Sequence, residues 1–247
     1  MFKLLNFEFR KLIRQKSFYI CIAVMLLLFL FSAYTAELLA ADSGIENPSL
    51  SGINYLMEAV SSSSLSMVLA VFIPLFICED YTSGTIRNII TRGFSRLEIF
   101  ISKLIAVLAA TVFMTAVCLA AAYLVGTAFW GAGEPELSSE QIKILLCQLA
   151  VIAAYATLFF AVSSMLQKVG GSIAICLILP MAVVILLSMA DAALAEREIE
   201  LSGYWIENIS RSLAAVEVKT EDIKKSLIGA GCYLSLIHIS EPTRLRR

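Results

Sequence analysis

Charged side chains are scarce in this chain of 247 residues: Asp, Glu, Lys and Arg make up 16%, whereas hydrophobic residues make up 59%. An ordinary soluble domain has roughly a quarter of its residues charged. The composition therefore predicts an integral membrane protein. The formal net charge of -1 argues against a nucleic-acid partner, because such a partner is recognised by a basic stripe.

Sequence motifs for nucleotide binding and catalysis are also missing. There is no G-x-x-x-x-G-K-[ST] loop, no H-E-x-x-H or G-x-S-x-G motif and no Cys/His cluster. We therefore expect no catalytic activity, no metal site and no cofactor bound by this chain. The central parts of the long apolar segments also lack Asp, Glu, Lys, Arg and His, which ion-coupled carriers need at that depth. Energy for any transport is expected to come from outside the membrane.

The six cysteines never form a C-x-x-C pair. They lie in or beside apolar segments, so we interpret them as small buried hydrophobic residues and not as a disulfide frame or metal site. They are Cys21, Cys78, Cys118, Cys147, Cys176 and Cys232.

Long apolar segments predict an all-α integral membrane protein with an N-terminal interfacial helix, five complete transmembrane helices and a truncated sixth. About 20 residues of helix cross the ~30 Å hydrocarbon core. The predicted spans are residues 18–38, 57–78, 96–130, 141–166 and 172–190, with a sixth starting at 228–234. Pro74 and Pro180 should bend the second and fifth spans.

Residues 1–16 alternate apolar and basic side chains at helical spacing, which is typical of an amphipathic helix in the cytoplasmic interface. A merely basic flank before the first span is the alternative. The predicted apolar face consists of Phe2, Leu5, Phe9, Leu12 and Ile13. Residues 40–54 carry no Lys or Arg and are predicted to be external, which places the N-terminus in the cytoplasm.

Five serines cluster in the outer half of the second span. Small hydroxyl side chains permit close helix packing, and the lining of a substrate pathway is the alternative interpretation. They are Ser61, Ser62, Ser63, Ser64 and Ser66. In the third span, the pairs Ala106 with Ala110 and Ala116 with Ala120 also have the spacing of close-packing small residues.

A polar, basic stretch of residues 79–103 separates the second and third spans. Ser83 is predicted to cap a short helix over residues 85–92, with Ile86, Ile89 and Ile90 on one face, and Gly93 is predicted to end it. Ser95 and Glu98 have the spacing of a capping box that starts the third span.

This stretch resembles the loop after the second transmembrane helix of ABC-2-type permeases. The resemblance rests on Glu79, Gly84-Thr85, Arg87-Asn88, Arg92-Gly93, Ser95-Arg96 and Lys103, in that order. It implies that the loop contacts a separate ABC ATP-binding subunit, which uses the ATP. The docking residues carried over are Glu79, Gly84, Thr85, Arg87, Asn88, Arg92, Gly93 and Arg96. A basic loop that only obeys topology rules is the alternative interpretation.

The resemblance further implies a multi-pass protein of the bacterial cytoplasmic membrane that pairs with a second permease copy or a sister permease. The expected function is the permease subunit of an ATP-driven exporter, of the kind associated with antimicrobial-peptide or drug efflux. A non-transporting membrane assembly or sensor subunit is the alternative hypothesis. A neighbouring ATPase gene would favour the first hypothesis, and its absence the second.

The last residues, 234–247, resemble the translation of an adapter used to prepare sequencing libraries. We expect them to be non-native and the native chain to continue, so that residues 1–233 form an incomplete ABC-2-type transmembrane domain. The single histidine, His238, lies in this tail and is assigned no function.

The predicted topology places residues 42–50 outside and residues 88–95 in the cytoplasm. Single cysteines introduced into each stretch should react with a membrane-impermeant maleimide in intact cells only at the first. Equal reactivity at both stretches from outside would contradict the topology.

Overall fold

The computed structural model describes residues 2–43, 52–61, 63–131 and 139–193, and every regular element within them is an α-helix. Five of these helices are long and apolar enough to cross a membrane: α2, α4, α6, α7 and α8. This agrees with the predicted all-α class and its five spans. The elements are α1 Phe2–Arg14, α2 Lys16–Ser43, α3 Gly52–Ser61, α4 Ser63–Thr82, α5 Thr85–Thr91, α6 Arg96–Trp130, α7 Ser139–Leu166 and α8 Val169–Ala193.

The N-terminal helix α1 is amphipathic, but its buried face differs from the predicted one. Leu4, Glu8 and Leu12 are buried, while Phe2 and Ile13 are exposed. Residues four apart lie on one face of a helix, so Leu4, Glu8 and Leu12 form one stripe. The predicted apolar face was assigned to the membrane interface, whereas the burial of Glu8 against the rest of the protein was not predicted. Placement of α1 in the membrane interface stays a prediction.

The second predicted span falls on α3 and α4, and residue 62 lies outside the described residues. Helix α3 begins at Gly52 and α2 extends to Ser43, so residues 40–54 are not the continuous loop that was predicted. Both α4 and α8 continue through their prolines, Pro74 and Pro180.

Helix α6 is the centre of the bundle, since it contacts α1, α2, α3, α4 and α7. A mostly small-residue stripe at four-residue spacing is buried along its length, which allows these close contacts. The stripe is Ser102, Ala106, Ala110, Met114, Cys118, Ala122 and Gly126. The Ala106 and Ala110 prediction is therefore confirmed. The prediction for Ala116 and Ala120 is wrong, because they lie off this row and are exposed.

Helices α3 and α6 approach each other closely near Gly52 and Gly126. The backbone N–H of Gly52 donates to the carbonyl of Gly131 at 3.0 Å. A Cβ on Gly126 would lie 2.9 Å from the Gly52 Cα and 3.1 Å from the Tyr55 Cβ. The missing side chain of Gly126 therefore sets the distance between α3 and α6.

The turn between α7 and α8 is shorter than predicted. It consists of Gln167 and Lys168, with Gln167 at φ 56°, and α8 begins at Val169. Six large hydrophobic side chains of α8 face outward: Ile175, Ile178, Met181, Ile185, Leu186 and Met189.

All five cysteines within the described residues are buried, as predicted. Cys232, the predicted sixth span and the tail at residues 234–247 lie outside the described residues. Their predictions are therefore neither supported nor contradicted by the fold.

We predict that Gly126→Val destabilises the bundle by about 1–3 kcal/mol, because the added atoms overpack the contact with Gly52 and Tyr55. The matched control is Gly170→Val, since a Cβ on Gly170 meets nothing within 4 Å. The control should stay within roughly 0.5 kcal/mol of the parent. Unfolding in mixed detergent micelles measures both. Equal stability of the two variants would contradict the proposed close contact.

Candidate docking site and buried charge cluster

The predicted docking loop contains the expected short helix, but Ser83 does not cap it. The residue before α5 is Gly84, which is in the left-handed region at φ 71°, and no side chain caps the helix. The Ser83 N–H donates to the Glu79 carbonyl at 2.9 Å, so Ser83 completes the last turn of α4. Its hydroxyl instead lies 2.8 Å from the Thr85 hydroxyl. Glycine at position 84 makes the sharp reversal between α4 and α5 possible.

Gly93 ends α5 as predicted. Its N–H donates to the Ile90 carbonyl at 3.0 Å, and its φ of 87° lies in the region that favours glycine. A Cβ at this position would meet nothing within 4 Å. The requirement for glycine is therefore a matter of backbone conformation and not of space.

The capping box that starts α6 is confirmed. The Glu98 N–H donates to the Ser95 hydroxyl at 3.2 Å, and the Ser95 N–H donates to the Glu98 carboxylate at 3.0 Å. Both bonds satisfy backbone donors that the first turn of a helix would otherwise leave unpaired. The end of the docking loop is thereby joined firmly to α6.

The apolar face of α5 is narrower than predicted. Ile89 is buried and packs with Leu4 of α1 and Ile99 of α6, whereas Ile86 is half-buried and Ile90 is exposed. Ile89 alone therefore anchors α5 to the bundle.

The other predicted docking residues lie mostly on the open surface of the loop. Arg87, Asn88, Arg92, Gly93 and Arg96 are exposed, and Gly84 and Thr85 are half-buried. Glu79 is also exposed, where its carboxylate accepts a hydrogen bond of 2.8 Å from the Gln15 side chain. The fold thus brings three arginines of the loop to one exposed end of the bundle.

The serine stripe is only partly described. Ser64 and Ser66 are half-buried, and the side chains at 61–63 lie outside the described residues. Ser66 borders a mainly apolar cavity of about 210 Å³ between α4, α7 and α8, together with Phe159, Cys176 and Pro180. This position is compatible with both interpretations of the stripe, namely packing and pathway lining.

Four charged residues of three helices meet beside the docking loop. Lys103 of α6 pairs with Asp80 of α4 and, at 3.1 Å, with Glu8 of α1. Lys11 of α1 pairs with the other oxygen of Asp80 at 2.6 Å. The exposed fractions of Glu8, Asp80 and Lys103 are 0%, 2% and 3%. We call Glu8, Lys11, Asp80 and Lys103 the charge cluster.

The aromatic ring and backbone of Phe76 complete the surroundings of the charge cluster. The Lys11 ammonium donates to the Phe76 carbonyl at 3.1 Å and lies 4.6 Å from the ring centroid. The Lys103 ammonium lies 5.9 Å from the same centroid. A ring face attracts cations, and this attraction strengthens where water is excluded. Two lysines and two carboxylates leave the cluster formally neutral.

Sequence reasoning noted Lys103 but missed Glu8, Lys11 and Asp80 as partners. One signal was present: Glu8 is the only acidic residue in a helix that otherwise carries basic charges, and it lies four residues from both Leu4 and Leu12. Within the described residues, no three His, Cys, Asp or Glu side chains lie together in a way that could hold a metal ion.

Comparison with known proteins identifies one relationship. A family model described as ABC-2 family transporter protein matches residues 4–190, which includes the charge cluster and the whole docking loop. No curated protein and no solved structure matches the chain.

Lys103→Met should destabilise the protein by about 3–5 kcal/mol, because it leaves Glu8 buried without a countercharge. Glu79→Gln is the control, since Glu79 is next to Asp80 but exposed, and its effect should stay within about 1 kcal/mol. Thermal unfolding in detergent measures the difference. A stability of Lys103→Met equal to that of the control would mean that the cluster is not buried as described.

Proposed function

The chain belongs to the ABC-2 transporter family, and from this membership we propose that it is the permease subunit of an ATP-driven exporter. A separate ABC ATPase docks on the loop of residues 79–103, and its ATP cycle moves the membrane helices. The membrane-length helices supply the translocation pathway, together with a second permease copy or a sister permease. The family membership and five candidate membrane spans support the permease role.

The observation that carries the docking proposal is the geometry of α5. This helix lies between two membrane-length helices and presents Arg87, Asn88 and Arg92 outward. Guanidinium groups offer forked donors that bind carboxylates or carbonyl groups with two hydrogen bonds. An ATPase surface with acidic side chains or free carbonyl groups would therefore be complementary to this face.

The loop is also fixed mechanically at both ends. Ser83 continues the hydrogen bonding of α4, and the capping box at Ser95 continues the loop into α6. A force on α5 is therefore passed to α4 and α6, because neither junction is a free linker. Such continuity is required of a contact that drives membrane helices.

The direction of transport, the plasma-membrane location with a cytoplasmic N-terminus and the cargo class are parts of the same proposal. The cavity beside Ser66 is lined mainly by apolar side chains of α4, α7 and α8. That lining suits an amphipathic or apolar cargo, such as an antimicrobial peptide or drug, better than a small ion. Since the sequence has no phosphate-binding loop, we assign ATP hydrolysis to the partner and no enzymatic activity to this chain.

We predict that Arg92→Glu combined with Arg96→Glu weakens binding of the ATPase by about 30-fold or more, because removal of one partner of a buried, hydrogen-bonded charge pair in an interface costs about 2–5 kcal/mol. The matched control is Lys168→Glu, a charge reversal in the exposed turn between α7 and α8. Binding is measured by pull-down from detergent, and export by resistance of cells to the cargo. Insertion and folding should be unchanged in all variants.

Two outcomes would contradict parts of this proposal. Normal ATPase binding and export by the double variant would show that the loop is basic only for topological reasons. Failure of the unmodified permease to bind any ABC ATPase, including that of a neighbouring gene, would favour the non-transporting assembly or sensor role.

A further inference from the structure

Helix α1 touches the docking loop through two adjoining sets of contacts. The first is apolar, since Leu4 packs against Ile89 of α5 and Ile99 of α6, with Phe94 beside them. The second is the charge cluster, in which Glu8 and Lys11 reach α6 and α4 respectively. Helix α1 thus contacts both α4 and α6, the two helices that the docking loop connects.

The charge cluster joins the two ends of the docking loop. Asp80 lies in the last turn of α4, at the start of the docking loop, and Lys103 lies two turns into α6, at the end of the loop. Asp80 accepts from both Lys11 and Lys103, and Lys103 also pairs with Glu8. Because Glu8 and Lys11 belong to one turn of α1, the four side chains form a closed ring of charges across α1, α4 and α6.

A hydrogen bond at the protein surface adds to these contacts between the N-terminal segment and the docking loop. Gln15, at the junction of α1 and α2, donates to the Glu79 carboxylate at 2.8 Å. Leu4, Glu8, Lys11 and Gln15 therefore follow one side of the N-terminal segment and all contact the loop or its two ends. No exposed charge of α1 takes part in these contacts.

Hydrophobic packing of α1 against the bundle would not by itself require a buried charge cluster. Burial of Glu8, Asp80 and Lys103 has a desolvation cost that hydrophobic side chains of similar size would avoid. Hydrophobic contact is non-directional, whereas the charged hydrogen bonds from Lys11 to Asp80 and to the Phe76 carbonyl fix distance and angle. Glu8 adds an ion pair with Lys103. The structure therefore holds α1 at one orientation with respect to α4 and α6 and not merely against them.

We propose that α1 is a brace for the docking loop, and that Glu8 and Lys11 are positioning residues that act through Lys103 and Asp80. The brace keeps α4, α5 and α6 in a fixed relative orientation, so a push on α5 moves α4 and α6 together and does not bend the loop. This proposal rests on the proposed function and extends it to a helix outside the loop.

Distances between spin labels test the brace in the permease alone, reconstituted in lipid nanodiscs. One label is placed at position 7 on the exposed side of α1 and the other at position 91 at the end of α5. The parent should give one narrow distance distribution. Glu8→Gln should broaden it by releasing α1 from Lys103, and Glu8→Asp, which keeps the charge, should recover most of the narrow distribution. Arg10→Gln is the matched control, because it removes an exposed charge from the same helix.

Coupling is then measured with the ATPase bound. Glu8→Gln should lower the permease-dependent change in ATP hydrolysis rate by about fivefold or more, the lower end of typical coupling between distant sites. The affinity of the ATPase for the permease should stay at the parent value, since the exposed face of α5 is unaltered. A purely structural role for Glu8 would not separate these two quantities.

The outcomes separate the two proposals. An unchanged distance distribution, or a broadened one with unchanged coupling, would overturn the brace. Failure of the parent to bind an ATPase would overturn the proposed function, while the label distances would still decide whether α1 holds the loop. If Glu8→Gln does not fold, Lys11→Gln takes its place, because Lys11 is partly exposed and Glu8 keeps its pair with Lys103. A narrow distribution in that variant would likewise overturn the brace.

Discussion

The attraction between Lys103 and two buried carboxylates determines how the docking-loop end of this bundle is assembled. A single charge at this depth would be strongly unfavourable, so each member of the charge cluster requires the others. Asp80 fixes the end of α4, Lys103 fixes the beginning of α6, and Glu8 brings in the N-terminal helix. The need for these pairs brings the end of α4 and the beginning of α6 together, and this fixes the position of the loop between them.

A second constraint acts along the rest of the bundle, where small side chains let the helices approach each other closely. Lipid tails are as apolar as leucine, so close packing replaces the hydrophobic effect as the force between helices. The stripe from Ser102 to Gly126 along α6 gives its neighbours this access. Ion pairs therefore hold α6 at one end, and close packing of small side chains holds it along the rest of its length. Helix α8 carries large outward side chains and depends on this central packing least.

Local signals in the sequence were sufficient for much of the fold. Long apolar runs indicated the five candidate spans, and the capping box at Ser95 and the glycine at position 93 were correctly located because each depends on residues within one turn. Ser83 was misassigned because Gly84, in a left-handed conformation, takes the position before α5. Glu8 has the spacing of a buried residue with Leu4 and Leu12, but the countercharge that its burial requires, Lys103, lies in a distant helix. Contacts between segments far apart in the sequence leave no pattern that can be recognised within a short stretch.

The closed ring of charges also imposes an order on biosynthesis. Glu8 leaves the ribosome long before Lys103, and at roughly 5–20 residues per second several seconds pass between the two. Until Lys103 is made, Glu8 has no countercharge, although Asp80 is already available to Lys11. The final position of α1 is therefore reached only after this part of α6 has been synthesised.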